Sequence, residues 1–280
     1  METIPMALPE VQDLILERDA DTLTIWFNRP ETRNALSARM SAELAAVLEW
    51  LPQVRDLRFV VLRGKGGSFC SGGDLSMFRT VFQDGASRED IVAANADFGR
   101  LLHGVRALPQ LFVVAIEGAA MAGGLGLSCI ADVVITTANA RFALSEVTLG
   151  IPPAQITPLV IRRVGASEAR RLLLTAQRFD GSEALRLGFA HQVVADSAAL
   201  DAALAALLED SRRGAPGAIA LTKEIIDASA HLEPDALVQF AAERFADAML
   251  GSEAREGMAA FAGKRQPYWA QARSHSDTGE

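Results

Sequence analysis

Two glycine-containing turns carry residue types suited to stabilising a developing negative charge. The first reads Phe-Cys-Ser-Gly-Gly-Asp-Leu over residues 69–75, and the second reads Glu-Gly-Ala-Ala-Met-Ala-Gly-Gly-Leu-Gly-Leu over residues 117–127. Glycine lets a backbone N–H group approach a ligand closely, and a helix N-terminus favours negative charge. Two such N–H groups that converge on one oxygen would form an oxyanion hole for an enolate. The spacing alone is equally consistent with two ordinary tight turns.

Glu146 is the candidate general base. It lies in the largely apolar segment Phe-Ala-Leu-Ser-Glu-Val-Thr-Leu-Gly-Ile-Pro-Pro, residues 142–153, between a strand and a proline-bounded loop. Burial among apolar neighbours raises the pKa of a carboxyl group, which suits it to accept a proton near neutral pH. An isolated glutamate is more often a surface or helix-capping residue, so this segment alone does not assign the role.

Other chemistries fit the sequence poorly. A dinucleotide-binding fingerprint that includes Gly124 and Gly126 would need a third glycine where Cys129 stands, and no Gly-Lys-Ser/Thr phosphate loop is present. Cys70 borders the first turn, but no histidine motif accompanies it, which favours a packing role. The chain has only two cysteines and four histidines without metal-ligand spacing. We therefore expect no metal, no separate cofactor and a reducing, cytoplasmic setting.

The elements that must position these residues alternate along the first part of the chain. Periodicity predicts strands over residues 11–17, 22–28, 58–63, 111–117 and 132–136, and helices over residues 37–50, 89–107 and 123–130. The repetition of two strands and a helix indicates layered sheets rather than a simple parallel Rossmann sheet. Residues 1–195 are therefore expected to form the catalytic core.

The composition becomes alanine-rich and helical from residue 196 to residue 280. Helices are predicted over residues 198–213, 218–230, 234–250 and 252–264. An apolar stripe that includes Leu200, Leu204, Leu207 and Leu208 needs a partner surface. This region is therefore expected to mediate oligomerisation.

Charge and hydropathy restrict the partners. The 280 residues are 50% hydrophobic and 22% charged, as in globular proteins, and the net charge is −8. An acidic chain disfavours nucleic acid and anionic membrane as partners. The longest apolar runs fall far short of the roughly 20 residues that a membrane span needs, and no secretory signal is apparent.

Several motifs in order resemble the crotonase, or enoyl-CoA hydratase/isomerase, superfamily. They are Asn-Arg-Pro at 28–30, Asn-Ala-Leu at 34–36, the two glycine turns, residues 146–152 and the ending Lys-Arg-Gln-Pro-Tyr-Trp at 264–269. The resemblance covers nearly the whole chain. It implies an α/β fold built as a crotonase-like spiral of ββα units with a helical C-terminal trimerisation region. It also implies an acyl-CoA thioester substrate and a homotrimer or dimer of trimers.

The resemblance assigns roles to individual residues. It implies that the N–H groups of Gly73 and Gly123 hold the thioester oxygen and that Glu146 is catalytic. The implied substrate-binding residues are Arg29, Ala35, Cys70, Ser71, Asp74, Leu75, Gly124 and Gly126. The basic residues that are candidates for the phosphates of coenzyme A are Arg29, Arg33, Lys264 and Arg265.

One departure from the family pattern concerns Gly126. The first catalytic glutamate of typical hydratases falls at this position and is missing, so a single carboxylate must suffice. The space left by the missing side chain is expected to hold water or substrate bulk. An enoyl-CoA hydratase is the leading interpretation. A Δ3–Δ2 enoyl-CoA isomerase, which needs only one glutamate, and a non-catalytic acyl-CoA binder remain open.

The finer wording of three segments narrows the resemblance. Residues 123–129, 149–156 and 170–181 are similar to the isohexenylglutaconyl-CoA hydratases of acyclic terpene catabolism, which also carry glycine at the position of the first glutamate. This similarity implies a branched, carboxylated acyl group.

Overall fold

The structure, a computed structural model, describes residues 7–74, 76, 79 and 85–271 of the chain. The predicted substrate contact Leu75 lies outside the described residues. The strands are β1 (Leu14–Asp19), β2 (Thr22–Phe27), β3 (Phe59–Gly64), β4 (Leu111–Ile116), β5 (Ala119–Met121), β6 (Val133–Thr137), β7 (Arg141–Ala143), β8 (Phe179–Asp180) and β9 (Gln192–Val194). The helices are α1 (Ala38–Trp50), α2 (Arg88–Arg106), α3 (Gly123–Cys129), α4 (Thr157–Thr175), α5 (Gly181–Arg186), α6 (Ser197–Ser211), α7 (Pro216–Ala228), α8 (Pro234–Leu250) and α9 (Ser252–Ala262).

The larger sheet follows from the alternating and continuous apolar runs of the sequence. Its strand order is β1-β2-β3-β4-β6-β9. β1 and β2 form an antiparallel hairpin through a turn in which Ala20 has a φ of 48°, whereas β2–β3, β4–β6 and β6–β9 are parallel. β3 is buried along its whole length, as its run of apolar residues predicts.

The smaller sheet contains β5, β7 and β8, in that order. β5 and β7 run parallel, and β8 is antiparallel to β7. Three phenylalanines pack beneath these strands, since Phe142 stacks on Phe179 at 5.1 Å between ring centroids and meets Phe189 at 5.3 Å. Two sheets of this kind confirm the predicted layered α/β arrangement.

The helices that flank the larger sheet carry clear end signals. The hydroxyl of Ser37 accepts a hydrogen bond from the N–H of Met40 and begins α1. Ser87 and Asp90 form a reciprocal capping box at the start of α2. The buried face of α1 consists of Met40, Leu44, Val47, Leu48 and Trp50. Both helices confirm the sequence prediction to within one residue.

The chain divides into two compact units. The first contains the residues up to Leu108 together with Phe112–Leu204, and the second contains Pro109–Leu111 and the residues from Ala205 onward. Both sheets lie in the first unit, apart from Leu111 at the start of β4. The second unit is built from α7, α8 and α9 together with the end of α6. The expected division at residue 196, between a catalytic core and an oligomerisation region, stays a prediction.

Several elements have no counterpart in the sequence prediction. β5 and β8 are three and two residues long, which is too short to show a period, whereas β7 is the strand expected before Glu146. α4 contains Gly165, whose φ of 77° and ψ of 160° interrupt the helix and its apolar periodicity. Within the described ranges, no helix has the length and apolarity that crossing a membrane requires.

Candidate active site

Three parallel segments meet at one edge of the smaller sheet. Cys70 forms a parallel bridge with Ala120, and Ala120 pairs in turn with Phe142 where β5 runs beside β7. The bridge is closed by two backbone hydrogen bonds, from Cys70 N to Ala119 O (2.9 Å) and from Met121 N to Cys70 O (2.8 Å). Because parallel strands end at the same edge, the chain leaves all three segments on one side.

The predicted catalytic positions follow these segments at nearly equal distance along the chain. Gly73 comes three residues after the bridge residue of its segment, Gly123 comes three residues after its own, and Glu146 comes four residues after its own. Sequence positions that are 50 and 73 residues apart are thus brought to one edge by strand register alone. The register of these segments therefore makes the three residues candidates for a single site.

The backbone N–H of Gly73 is directed away from its neighbouring strand. Gly73 forms a parallel bridge with Leu36, in which the carbonyl of Gly72 and the N–H of Asp74 bond to Leu36 at 2.8 and 3.1 Å. The N–H of Gly73 and the carbonyl of Gly72 belong to one trans peptide group and point in opposite directions, so this N–H points away from Leu36. No acceptor among the described residues receives it.

The N–H of Gly123 is set by an unusual residue before it. The N–H of Ala122 donates to Ala143 O at 2.9 Å and ends the β5–β7 ladder. Ala122 then has φ 48° and ψ −122°, which is a strained conformation for a residue with a side chain. This conformation redirects the next peptide group, so the N–H of Gly123 leaves the ladder and finds no acceptor among the described residues.

Glu146 begins a 3-10 turn, Glu146–Leu149, three residues after the end of β7. Its Oε2 is buried and receives no hydrogen bond from the described residues. Desolvation by burial raises the pKa of Glu146, and a hydrogen bond from its own backbone N–H opposes this only in part. A half-buried carboxylate with an unsatisfied oxygen is suited to accept a proton from a bound molecule.

The expected space at Gly126 is absent, and this prediction was wrong. A β-carbon at Gly126 would lie 2.1 Å from Cγ2 of Ile156, so the side chain of Ile156 occupies the position. Both residues are buried. The sequence around Gly126 could not show this, because Ile156 comes from another part of the chain, where it precedes α4, and packs against α3 only in the folded protein. In this arrangement the surface of α3 at Gly126 is covered by a hydrocarbon side chain.

A cavity of about 360 Å³ opens beside the first glycine turn. The residues that line it are Glu31, Thr32, Arg33, Ala35, Ser71, Gly73 and Asp74. They include four of the residues that the family resemblance assigned to the site, namely Ala35, Ser71, Gly73 and Asp74. The structure therefore places these four around one opening.

Arg29 and Asp74 brace this cavity. The guanidinium of Arg29 donates to the carbonyl of Ala35 at 2.8 Å and to the carboxylate of Asp74 at 3.2 Å, and its Nε lies 3.6 Å from Asp13. The pKa of Asp74 is lowered mainly by hydrogen bonds from Ser76 and also by Arg29. Since Arg29 is already neutralised by these carboxylates, Arg33 is the exposed guanidinium of the cavity.

Cys70 and Gly124 pack against each other behind the two turns. A β-carbon at Gly124 would lie 2.5 Å from Cβ and 2.7 Å from Sγ of Cys70. The thiol of Cys70 is buried, and burial raises its pKa to about 12. A thiol held in its neutral form is a poor nucleophile, which agrees with the packing role that the sequence favoured. Contact of these two residues with substrate stays a prediction.

Asn34 organises the site and was identified in the sequence only as part of a motif. Its φ is 58° and its side chain is buried. The side-chain carbonyl accepts from the N–H of Arg29 at 2.8 Å, and the amide donates to Lys65 O and Ser68 O at 2.9 and 2.7 Å. Asparagine tolerates positive φ and offers both donors and an acceptor, which is the signal that points to it.

The remaining polar candidates are His191, Lys264 and Arg265. Nδ1 of His191 accepts a hydrogen bond from the N–H of Val134 at 2.9 Å, and desolvation lowers the pKa of His191. Lys264 and Arg265 lie in the second compact unit, where Arg265 forms an ion pair with Glu256 at 2.6 Å. In the part of the chain that the structure describes, no group of three His, Cys, Asp or Glu side chains is placed to hold a metal ion.

Comparison with known proteins places this site in a family. The profile of the enoyl-CoA hydratase/isomerase family matches residues 17–272. The structure of Pseudomonas aeruginosa AtuE is 48% identical, with a TM-score of 0.90, and the match covers 93% of this chain and 100% of that one. An enoyl-CoA hydratase/isomerase from Marinobacter aquaeolei is 40% identical, with a TM-score of 0.88 and coverage of 92% and 99%.

A functionally named relative agrees with the structures. The short-chain-enoyl-CoA hydratase of Clostridium acetobutylicum is 30% identical over 259 residues, which is 92% of this chain and 97% of that protein. The fold, the order of the motifs and these relatives coincide over nearly the full length. As its sequence predicted, the chain is an enzyme with the crotonase fold, and it belongs to the enoyl-CoA hydratase/isomerase family.

Proposed function

We propose that the protein is an enoyl-CoA hydratase, a hydro-lyase that adds water across the C2–C3 double bond of a 2-enoyl-CoA. The observation that carries the proposal is the register that brings Gly73, Gly123 and Glu146 to one sheet edge, with two unused N–H groups and one unsatisfied carboxylate oxygen. Two donors and one base are the groups that addition to a thioester-conjugated alkene needs.

The chemistry balances with one carboxylate. Glu146 takes a proton from water as the water oxygen attacks C3. The electrons of the double bond move onto the thioester oxygen, and the N–H groups of Gly73 and Gly123 stabilise the resulting enolate. Glu146 then returns the proton to C2 as the enolate collapses. No separate cofactor takes part, because coenzyme A belongs to the substrate.

Substrate recognition follows from the cavity beside the first turn. We assign the exposed guanidinium of Arg33 to the phosphates of coenzyme A, since the guanidinium of Arg29 is held by Asp13 and Asp74. The similarity of residues 123–129, 149–156 and 170–181 to isohexenylglutaconyl-CoA hydratases supports a branched, carboxylated acyl group as the substrate. Because Ile156 fills the space at Gly126, that position offers no room for a bulky acyl group and does not explain why such a substrate would be preferred.

Assembly as a homotrimer or a dimer of trimers is part of the proposal. Large apolar side chains are exposed on the helices of the second unit, among them Val238, Phe245, Leu250 and Phe261. Exposed apolar residues of this size on adjacent helices are typical of a protein–protein interface. A second copy of the chain is the partner that the family resemblance implies.

A Δ3–Δ2 enoyl-CoA isomerase is the second candidate, and one observation favours it. Position 126 is a glycine, so the first catalytic glutamate of typical hydratases is absent, and the side chain of Ile156 fills the space that it would occupy. Moving a proton from C2 to C4 requires one base and no activated water. The same enolate and the same two N–H groups would serve this reaction.

A panel of thioesters separates the candidates. A hydratase bleaches the conjugated absorbance of 2-enoyl-CoA, whereas an isomerase produces that absorbance from 3-enoyl-CoA. Linear, branched and carboxylated acyl groups in the panel test the substrate assignment by their kcat/KM values. Binding of every thioester without either absorbance change would show a non-catalytic acyl-CoA binder and contradict the proposal.

A further inference from the structure

Two consecutive residues after the catalytic loop each pack onto a glycine of a different helix. Ile156 occupies the space above Gly126 on α3, as described above. Gln155 lies against α2, where a β-carbon at Gly99 would be 2.4 Å from its Oε1 and 2.8 Å from its Cδ. The segment that follows Glu146 is therefore held between two helices, and both contacts require glycine.

Gln155 also forms a hydrogen bond to α2. Its Nε2 donates to Oδ1 of Asn95 at 2.7 Å. Asn95 and Gly99 are four residues apart on α2, so they lie on the same helix face. The side chain of Gln155 thus lies along this face and bonds one turn toward the helix N-terminus.

The same helix reaches the oxyanion turn. Phe98 of α2 lies beside Gly123, because a β-carbon at Gly123 would be 3.3 Å from Cζ of Phe98. Gly99, which meets Gln155, is the next residue. One turn of α2 therefore contacts the segment that carries Glu146 and the turn that carries Gly123.

Gly99 is unfavourable for the helix itself. A glycine inside a helix costs roughly 0.5–1 kcal/mol relative to alanine. The atoms that a β-carbon would meet are the end of a flexible side chain, so alanine at this position would displace Gln155 rather than disrupt the backbone. Glycine at position 99 therefore lowers the stability of the helix but leaves room for the side chain of Gln155. A residue that is unfavourable for stability is often kept because function requires it.

We propose that the Gln155–Asn95 hydrogen bond, seated on Gly99, positions the base for the reaction. It fixes the segment that follows Glu146 to α2, and α2 in turn contacts Gly123 through Phe98. Gln155 and Asn95 are positioning residues, since they act on the base and the N–H donor rather than on the substrate. The inference rests on the proposed function, for which base and oxyanion hole must keep a fixed separation.

A pair of substitutions within α2 tests the inference. Gly99→Ala displaces Gln155, whereas Gly104→Ala is its matched control, because a β-carbon at Gly104 would only touch Leu48 Cδ1 at 3.7 Å. Both changes should preserve or raise the melting temperature. Gly99→Ala should lower kcat by about 10- to 100-fold with KM within about two-fold, since small misplacements of catalytic groups have effects of this order. Equal kcat in the two variants would overturn the inference.

Removing the glutamine tests the same contact from the other side. Gln155→Ala should lower kcat as Gly99→Ala does, and the double variant should be no worse than either single one, because both remove one interaction. Gln53→Ala is the control, since Gln53 also donates a side-chain hydrogen bond, to Glu49 O at 2.9 Å, and lies away from the candidate site. Additive losses in the double variant would contradict a shared role.

Amide hydrogen exchange gives a readout that does not depend on turnover. The backbone of residues 146–156 should exchange faster in Gly99→Ala than in Gly104→Ala. If this difference is seen but the wild-type protein turns over no enoyl-CoA, the proposed function fails while the positioning contact stands. If the exchange rates are equal, the positioning contact is refuted whatever the activity.

Discussion

The first unit, which holds the candidate site, and the C-terminal helices of the second unit differ in how far their large phenylalanine side chains are exposed. In the first unit Phe27, Phe69 and Phe142 are completely buried. In the second unit Phe245 and Phe261 are 67% and 88% exposed. The phenylalanines at the strands of the first unit are thus enclosed within one chain, whereas α8 and α9 of the second unit leave several of their large apolar side chains exposed. The candidate site and the most exposed apolar side chains therefore lie in separate parts of this sequence.

Polar groups differ between the two regions as well. At the catalytic edge a carboxylate oxygen of Glu146 is buried without a donor, and two N–H groups have no acceptor among the described residues. In the second unit, ion pairs at the surface include Arg244–Asp247 and Arg265–Glu256, and Nε of Arg244 is a buried atom without a hydrogen-bond partner among the described residues. Unsatisfied polar groups at the sheet edge are suited to bind a reactant, and the exposed apolar side chains of the second unit are typical of a protein–protein interface.

The largest effect should come from the base. Glu146→Gln should lower kcat by about two to four orders of magnitude, the usual effect of losing a general acid–base group. KM should change little, because the amide preserves the shape of the side chain. Steady-state kinetics with an enoyl-CoA measure both constants. Glu49→Gln, the same change at an exposed position of α1, should have no effect, and a variant at position 146 within a few-fold of wild type would remove Glu146 from the mechanism.

The oxyanion turn should give the next largest effect. Gly123→Pro removes the N–H and should lower kcat by about 10²- to 10³-fold, as the loss of one oxyanion donor does elsewhere. Proline is tolerated at the first position of a helix, which Gly123 occupies in α3. Gly123→Ala keeps the N–H and serves as the control for crowding against Leu36 and Phe98. Kinetics and circular dichroism together would separate chemistry from unfolding, and equal kcat for the two variants would contradict the assignment.

The packing at Gly126 should affect stability rather than chemistry alone. Gly126→Ala places a methyl group 2.1 Å from Ile156 Cγ2 and should destabilise the fold by about 1–3 kcal/mol, the usual cost of overpacking. Combining it with Ile156→Ala should relieve the clash, so the double variant should be more stable than the sum of the single effects predicts. Denaturant unfolding measures the cycle, and strict additivity would show that the two residues do not meet.

The second region should respond in mass rather than in catalysis per site. Phe245→Glu combined with Phe261→Glu places two charges on the exposed apolar surface and should convert an oligomer into a 29.9 kDa monomer, an at least threefold fall in mass. Light scattering at micromolar concentration measures this. Arg255→Glu, at an exposed charged position of α9, is the control and should leave the mass unchanged. A wild-type monomer would break the comparison between the two regions.

The smallest effect concerns pH and stability at the catalytic edge. Because burial raises the pKa of Glu146 in the folded state above the ordinary 4.5, the folded state binds this proton more tightly than the unfolded state. Its contribution to stability is therefore present at low pH and is lost as pH rises through the folded pKa. Glu146→Gln should raise the melting temperature modestly at pH 7, with the gain disappearing below pH 4.5. A gain that does not depend on pH would argue against a buried ionised carboxylate.

Much of the fold could be predicted because its signals are local. The capping serine and the apolar face of α1 lie within one helix, and the alternation of β1 and β2 lies within one hairpin. The helices α8 and α9 begin at the predicted residues, Pro234 and Ser252. α4 was missed because Gly165 breaks its periodicity, and β5 was missed because a strand of three residues has no measurable period.

The candidate site divides in the same way. Residue types and motif order were enough to select Gly73, Gly123 and Glu146, because glycines in turns and an apolar-flanked glutamate are visible in the sequence. The role of Asn34 in joining its own turn to the loop at residues 65–68 was not visible, since its partners Lys65 and Ser68 are more than thirty residues away. The strained conformation of Ala122 was also invisible, because an alanine gives no sign of positive φ.

By itself, the sequence determined the family, the mixed α/β architecture and the helical C-terminal region, and it nominated the candidate catalytic positions. Each of these depends on residue type and on spacing within a short stretch. Only the tertiary structure decided that Ile156 fills the space at Gly126 and that Gln155 is seated on Gly99. A glycine in a sequence predicts either an open space or a close contact equally well. The outcome depends on which distant side chain the fold brings to the glycine. That is fixed only when α2, α3 and the segment that holds Gln155 and Ile156 are packed together.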